Sequence, residues 1–400
     1  MLNYTEILNK LITNSNKKIN LNANSVTRVL SVLSLLAHPQ KSYKIIHIAG
    51  TNGKGSTASF INNGLIHNKH KVGMFTSPFI YKPNESILIN NIPISNKDLT
   101  EVTNNIIFLS NSYRIALTPF ELLTIVMFYY FHINQIEYLV LEVGLGGLYD
   151  ATNVVDPILT VITNVTLEHT NFLGNNILDI VKHKTGIIKP KVPIITSSEC
   201  NILTKQILQS IIKNNPTSDK LQTEKNIESY YHNVLKIYDF DTNLNFTNFT
   251  TNITINEDNF CLNLFGKFQA YNFLCAYEVL KQLNIPLKSI KHAAQNTKIA
   301  ARMQLYQAQE LHNLFNKNKE AVITIVDVAH NEAGVEAVYE TLNQQYNRED
   351  IIIITSILSD KNIPKILQIL SNLSNDIIFT EVMNTDRGTS PHLLLQIAQS

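Results

Sequence analysis

At 400 residues, with 44% hydrophobic and 16% charged side chains, the chain has the balance of a globular protein of two or three domains. Its formal net charge of +1 gives no electrostatic case for nucleic acid or an acidic membrane, so neither is an expected partner. Cys200, Cys261 and Cys275 lack metal-ligand spacing and read as reduced bystanders, which fits a reducing compartment.

Met1 to Glu6 has no basic segment leading into an apolar run, so no secretory signal is expected. Amphipathic helices are predicted over 4–12 and 25–37, separated by the polar run from Asn14 to Asn24. Next comes the β-branched run Ile45-Ile46-His47-Ile48-Ala49, then Gly50-Thr51-Asn52-Gly53-Lys54-Gly55-Ser56-Thr57 and a small-residue helix through Ala58, Phe60, Ile61 and Leu65. A strand, a glycine-rich turn and a helix in that order gather free N–H groups and the positive end of a helix dipole at one point. With Lys54 as a cation and Ser56 or Thr57 as a hydroxyl, the stretch reads as a triphosphate cradle. It departs from the strict G-x-x-x-x-G-K-[ST] pattern: Ile48 replaces the first glycine, and Gly55 separates lysine from hydroxyl.

Lys71 to Thr76 reads as a short strand ending before Pro78. Glu101–Leu109 and Phe120–Phe131 read as helices, and the apolar stretch from Leu122 to Phe131 is too short to span a bilayer. Tyr138–Val143 is a strand apolar at nearly every position except Glu142, and it runs into Gly144-Leu145-Gly146-Gly147. Strands follow at Ile158–Thr163 and Pro193–Thr196, with a helical end over Lys182–Ile188. Residues 211–260 are rich in Asn, Thr, Lys and Asp, and read as a peripheral excursion of exposed β-hairpins. A helix over Ala270–Leu283 precedes a second α/β series. Its strands are Ala321–Asp327, Ile351–Ser356 and Ile377–Thr380, and its helices Glu332–Asn343 and Ile363–Leu373. The expected fold class is α/β: a doubly wound P-loop-type ATPase domain with a mainly parallel sheet over 1–299, then a smaller Rossmann-like α/β domain over 300–400.

Glu142 interrupts an apolar strand near its carboxyl end, where a carboxylate must ligate a cation or find a hydrogen-bonding partner. His169 follows the next strand and Ser77 an earlier one. Together the three read as Mg²⁺ ligands, with phosphate oxygens and water completing an octahedron. Lys184 alone reads as a solvated helix lysine, and Asp327 or Asn331 alone as a turn or N-cap residue.

Taken together, these stretches resemble the folylpolyglutamate synthase and dihydrofolate synthase family of Mur-type ATP-dependent amide ligases. The matching pieces are Gly50 to Ser56, Thr76-Ser77-Pro78, Asn84-Glu85, Pro119-Phe120-Glu121, Glu142 to Gly147 and Asp150-Ala151-Thr152-Asn153. Further matches are His169-Thr170, Phe172-Leu173-Gly174, Lys184 to Ile187, Gln269 with Asn272, Arg302, Asp327 with Ala329-His330-Asn331, and Asp360-Lys361. The resemblance implies a cytoplasmic ligase that adds L-glutamate to dihydropteroate, to the glutamate tail of (tetrahydro)folate, or to both, through an acyl phosphate. It implies ATP and two Mg²⁺ ions as cofactors. Small-molecule substrates (a pterin acid or folate, L-glutamate and ATP) are the expected partners, and a monomer the expected state.

By the same resemblance, Gly53, Lys54, Gly55 and Ser56 hold phosphates, while Asn272, Arg302 and Asp327 contact the nucleotide. Ser77, Glu142 and His169 bind Mg²⁺, and a carbamylated Lys184 binds a second ion. Ile19, Asn20, Leu21, Thr118, Pro119, Phe120, Glu121, Tyr149, Asp150 and Ala151 match pterin-contacting segments. His330 is expected to face the phosphate site and act with Lys54 and Lys184 in catalysis.

The sequence departs from the family pattern at Leu148, Tyr149, Phe79, Glu168 and Phe268, which bears on substrate contacts more than on ATP. The second domain looks short for the family, and an unpaired strand edge is expected there. The alternatives are a cell-wall Mur-type amino-acid ligase and a non-catalytic nucleotide-binding module.

Overall fold

A computed structural model describes residues 1–12, 23–196, 240–306, 323–383 and 385–399. The chain divides into two compact units, Met1–Asp239 with Tyr271–Asn296, and Phe240–Ala270 with Thr297–Ser400.

The first unit is built on seven strands: β1 (Lys44–Ala49), β2 (Val72–Phe75), β3 (Ile87–Ile89), β4 (Ile92–Pro93), β5 (Tyr138–Glu142), β6 (Leu159–Ile162) and β7 (Ile194–Thr196). They lie in the order β4-β3-β2-β5-β1-β6-β7. From β2 to β7 every pairing is parallel, and β3 and β4 add an antiparallel edge. The continuous apolar runs dictate this: β2, β5 and β6 are buried at every position, so helices must cover both faces.

The helices are α1 (Tyr4–Ile12), α2 (Ala23–Leu35), α3 (Lys54–His67), α4 (Asn96–Ser112), α5 (Pro119–Ile133), α6 (Thr170–Leu173), α7 (Ile177–Thr185), α8 (Lys267–Gln282, in this unit from Tyr271 on) and α9 (Leu287–Asn296). One core joins Ile7, Val29, Leu33, Leu99, Ile106, Ile125 and Phe128 to the sheet residues Ile45, Phe75, Leu139 and Leu141. Each side chain fully buried in this way contributes roughly 1.5–3 kcal/mol. α3 lies on β1, β2 and β5, where Phe60 meets Phe273 edge to face at 5.2 Å. Consequently β1, β5 and β6 end together, with Ile48 level with both Glu142 and Val161. The crevice at those carboxyl ends is where an open α/β sheet binds ligands.

The β3–β4 hairpin is absent from the sequence reading. Its turn, Asn90-Asn91, has φ of 50° and 66°, the left-handed pair that tight hairpins favour and asparagine tolerates.

The second unit opens with an antiparallel meander, β8 (Phe240–Asn245), β9 (Thr250–Ile255) and β10 (Asp258–Leu262). Here the expectation of a peripheral, exposed excursion is corrected for residues 240–260; residues 211–239 lie outside the described residues. Alternation buries Ile253, Ile255, Phe260 and Leu262. Phe249 and Phe265 share a core with Met303, Leu342 and Leu373, which is why Phe240–Ala270 belongs with the residues after Thr297 and not to a body spanning 1–299. β11 (Gln304–Tyr306) pairs antiparallel with β12 (Thr324–Val326), and β13 (Ile352–Thr355) pairs parallel with β14 (Asp376–Phe379). Helices Glu332–Leu342, Ile363–Leu373 and Pro391–Gln399 complete the unit. Ile353, Ile377 and Phe379 pack onto the cluster of Ile366, Leu370 and Leu394, whereas Ile352, Ile354 and Ile378 are exposed on the opposite face.

Candidate active site

The phosphate loop is fixed from both sides. Thr51 N–H donates to Asn164 O at 2.9 Å and Asn52 N–H to Asn164 Oδ1 at 2.9 Å, while Thr163 Oγ1 donates to Asn52 O at 2.6 Å. These bonds tie the loop to the segment leaving β6. Gly53 caps α3 with φ 81°, and a Cβ there would stand 1.9 Å from Asn272 Oδ1. Only glycine combines that backbone with that approach. Thr57 Oγ1 donates to Asn272 O at 3.2 Å, so the sequence-predicted nucleotide residue Asn272 abuts the loop.

Lys54 Nζ donates to Gly50 O at 3.1 Å and Thr51 O at 3.0 Å, and lies 3.9 Å from Glu142 Oε1. Glu142 is 4% exposed, and its Oε2 accepts from Ser77 N–H at 3.3 Å. Thus Ser77 and Glu142, expected together as Mg²⁺ ligands, meet through the backbone amide of Ser77. His169 takes a left-handed conformation (φ 51°) at the start of α6, with Nε2 3.6 Å from Glu168 Oε1.

Lys184, expected by itself to be solvated, is instead 4% exposed near the end of α7. Burial and the positive charge of Lys54 push its amine down to about 7, against the opposing pull of Glu168. Near neutral pH much of it is therefore uncharged and nucleophilic. Among the described residues no three His, Cys, Asp or Glu side chains converge as a metal cage. The donor chemistry nevertheless fits Mg²⁺, which commonly takes one or two carboxylates and completes its shell with substrate phosphates and water; Glu142 is such a carboxylate.

The Gly144–Gly147 loop is held by Asp150. Its Oδ2 accepts from Leu145 N–H at 2.8 Å and its Oδ1 from Thr152 N–H at 3.0 Å and Thr152 Oγ1 at 2.6 Å. Burial raises the carboxyl pKa, with these bonds opposing. Thr152 Oγ1 also lies 3.0 Å from Nε2 of the fully buried His47, whose pKa burial lowers to about 3. Asn153 Nδ2 donates to Leu148 O and Gly186 O, both at 3.0 Å, and so bridges this loop to the turn after Lys184. Asp150 therefore supports the wall of the crevice, while Tyr149 meets His183 edge to face at 5.8 Å and Ala151 is buried.

Glu121 is likewise committed: it closes a capping box with Thr118 at the start of α5 and receives Arg28. Pro119 and Phe120 are half-buried and Thr118 is exposed. Ile19, Asn20 and Leu21 lie outside the described residues.

In the second unit, Asp327 joins two turns. Its Oδ2 accepts from Met303 N–H and its Oδ1 from Ala329 N–H, both at 2.7 Å. Burial raises its pKa, and the neighbouring Arg302 and His330 pull the other way. His330 is exposed, and its Nδ1–H donates to Val328 O at 2.9 Å. Asn331 caps the helix Glu332–Leu342, accepting from Gly334 N–H at 2.8 Å.

Sequence reasoning missed Arg28, Thr163 and Asn164. The position of Thr163 and Asn164 just past a buried strand was the available signal; Arg28, in a helix far upstream, gave none.

Residues 48–280 match the Mur ligase middle domain. The chain is similar to the dihydrofolate synthase/folylpolyglutamate synthase of Bacillus subtilis, at 33% identity over 362 residues covering 88% of this chain and 80% of that one. Among solved structures it is similar to the folylpolyglutamate synthase of Thermotoga maritima. That likeness has a TM-score of 0.77 at 26% identity, covering 99% of this chain and 87% of the other. It is also similar to an FPGS–AMPPCP–folate complex, with a TM-score of 0.76 at 26% identity, covering 94% and 89%.

Proposed function

We infer the mechanism from the premise that this chain belongs to the dihydrofolate synthase/folylpolyglutamate synthase family of Mur ligases. The enzyme is a ligase that forms a carbon–nitrogen bond, joining glutamate to a folate at the expense of ATP. The observation that carries the assignment of residues is the approach of the half-buried Lys54 to the buried carboxylate of Glu142 where β1 and β5 end.

A carboxylate is a poor electrophile at neutral pH. In the proposed reaction the substrate carboxylate attacks the γ-phosphorus of ATP and ADP departs, leaving an acyl phosphate. The glutamate amine then adds to the acyl carbon, phosphate leaves, and loss of a proton gives the amide. The N–H groups of Gly53 to Ser56 and the Lys54 ammonium bind and orient the triphosphate. Glu142 holds Lys54 in place and, with Ser77 and His169, would bind Mg²⁺. When bound, the metal supplies charge neutralisation on the phosphates.

Lys184 is proposed to add its neutral amine to CO₂, releasing one proton and gaining a carboxylate for a second Mg²⁺. Its depressed pKa supports this, because the free amine is the nucleophile. Asn272, Arg302 and Asp327 are proposed to contact the nucleotide, Phe120 and Tyr149 to border the pterin, and His330 to take part in catalysis. Dihydropteroate and tetrahydrofolate are both proposed acceptors, in a cytoplasmic monomer.

The test is ADP release with dihydropteroate or tetrahydrofolate, with and without glutamate. Glutamate-dependent release with each acid supports both activities. Release with only one acid restricts the enzyme to that step, and ATP binding without release rejects the ligase chemistry.

A further inference from the structure

Arg28, on α2, makes a two-point contact with a buried carboxylate. Its Nη2 donates to Glu121 Oε1 at 2.6 Å and its Nε to Oε2 at 3.1 Å, with the Glu121 side chain 2% exposed and that of Arg28 31% exposed. The same Oε2 accepts Thr118 N–H at 2.9 Å, while Thr118 Oγ1 receives Glu121 N–H at 3.3 Å. One carboxylate thus serves both the cap of α5 and the clasp to α2.

The turn so fixed carries Phe120. The Phe120 ring lies against Gly144, where a Cβ would stand only 2.3 Å from its Cζ. Its centroid is 6.0 Å from that of Phe75. Gly144 is two residues beyond Glu142, so the ring borders the crevice next to the phosphate loop. A half-buried aromatic ring held at that point can receive a planar heterocycle, provided the turn beneath it does not shift.

We propose that Arg28 is a positioning residue for the pterin ring of the acid substrate, acting through Glu121 and the first turn of α5 on Phe120. The proposal rests on the ligase reading above. Without Arg28, a buried carboxylate loses its cation and must rotate towards water, taking the Thr118 cap with it. A short Lys reaches Glu121 with one donor direction and cannot reproduce the fork.

The experiment compares Arg28→Met and Arg28→Lys with the unsubstituted full chain. In Arg28→Met, the KM for dihydropteroate or tetrahydrofolate should rise about tenfold, while kcat and the KM for ATP stay within about twofold. Amide exchange over residues 118–123 should quicken at least about tenfold. Arg28→Lys should fall between, and it keeps the test alive if the Met variant folds poorly. Equal rises in both KM values would mark a general loss of structure and overturn the proposal. So would faster exchange with an unchanged KM for the acid. Absence of turnover in the unsubstituted enzyme would instead overturn the ligase reading, and this proposal with it.

Discussion

Lys54 and Lys184 carry the same charge and stand in opposite situations. Lys54 is partly exposed and bonded to its own loop carbonyls, so its removal opens no cavity. Lys54→Ala should lower turnover at least about a hundredfold, as removal of one preorganised charge at a reacting phosphate does, with thermal stability nearly unchanged. Unaltered ADP release by the folded variant would reject the phosphate-loop assignment.

Lys184 costs stability in the ligand-free protein because its amine is pushed from 10.5 to about 7. Above 10.5 the amine is neutral whether folded or not, and burial carries no charge penalty. Between 10.5 and 7 only the unfolded chain binds the proton, so the penalty grows as pH falls; below about 7 it is fully present. Lys184→Met, in bicarbonate-free and metal-free buffer, should therefore raise the melting temperature most below pH 7, with the gain shrinking towards pH 10. A gain independent of pH would show that the amine is charged in neither state or in both.

Among the elements, the long buried ones were legible and the tertiary pairings were not. The run Tyr138 to Leu141 could only be a strand covered on both faces, and the glycine turn before Lys54 announced α3. The β3–β4 hairpin was missed because its strands have three and two residues, too few to show a period. The hairpins of the meander were legible in the alternation at 252–255, but its burial was not, because Ile253 and Ile255 face inward onto a core that the polar composition hides. The burial of Lys184 and the Arg28–Glu121 pair depend on chain segments distant in sequence, and neither composition nor spacing encodes them. A glycine requirement was visible, but its reason was not: Gly53 lies under Asn272, more than two hundred residues on. Gly53→Ala should weaken ATP binding at least about tenfold, since φ 81° is strained for alanine and its methyl would displace Asn272. Isothermal titration with ATP measures this. Undiminished affinity would show that the loop relaxes without cost.

At the scale of the whole molecule, each unit has its own apolar core, one under the seven-stranded sheet and others within the second unit. The chain spans 80% of the length of its Bacillus subtilis relative. Membrane insertion is not indicated by any helix among the described residues, since none is long and apolar enough to cross a bilayer. The sequence reading of α/β architecture therefore rested on the right evidence, the spacing of buried strands. It could not say how the short strands of the second unit would pair.

Those short strands have a consequence for handling the protein in concentrated solution. β13 and β14 turn Ile352, Ile354 and Ile378 outward at 67%, 69% and 52% exposure. A net charge of +1 supplies almost no long-range repulsion to keep such surfaces apart. Colloidal attraction should therefore rise steeply with concentration, and added sulfate should aggravate it by favouring apolar contact. Replacing Ile354 by lysine adds charge on the face directed away from Leu370 and Leu394. It should raise the solubility limit several-fold in static light scattering while leaving the circular dichroism spectrum unchanged. An unaltered second virial coefficient would show that these three isoleucines do not govern how the molecules meet.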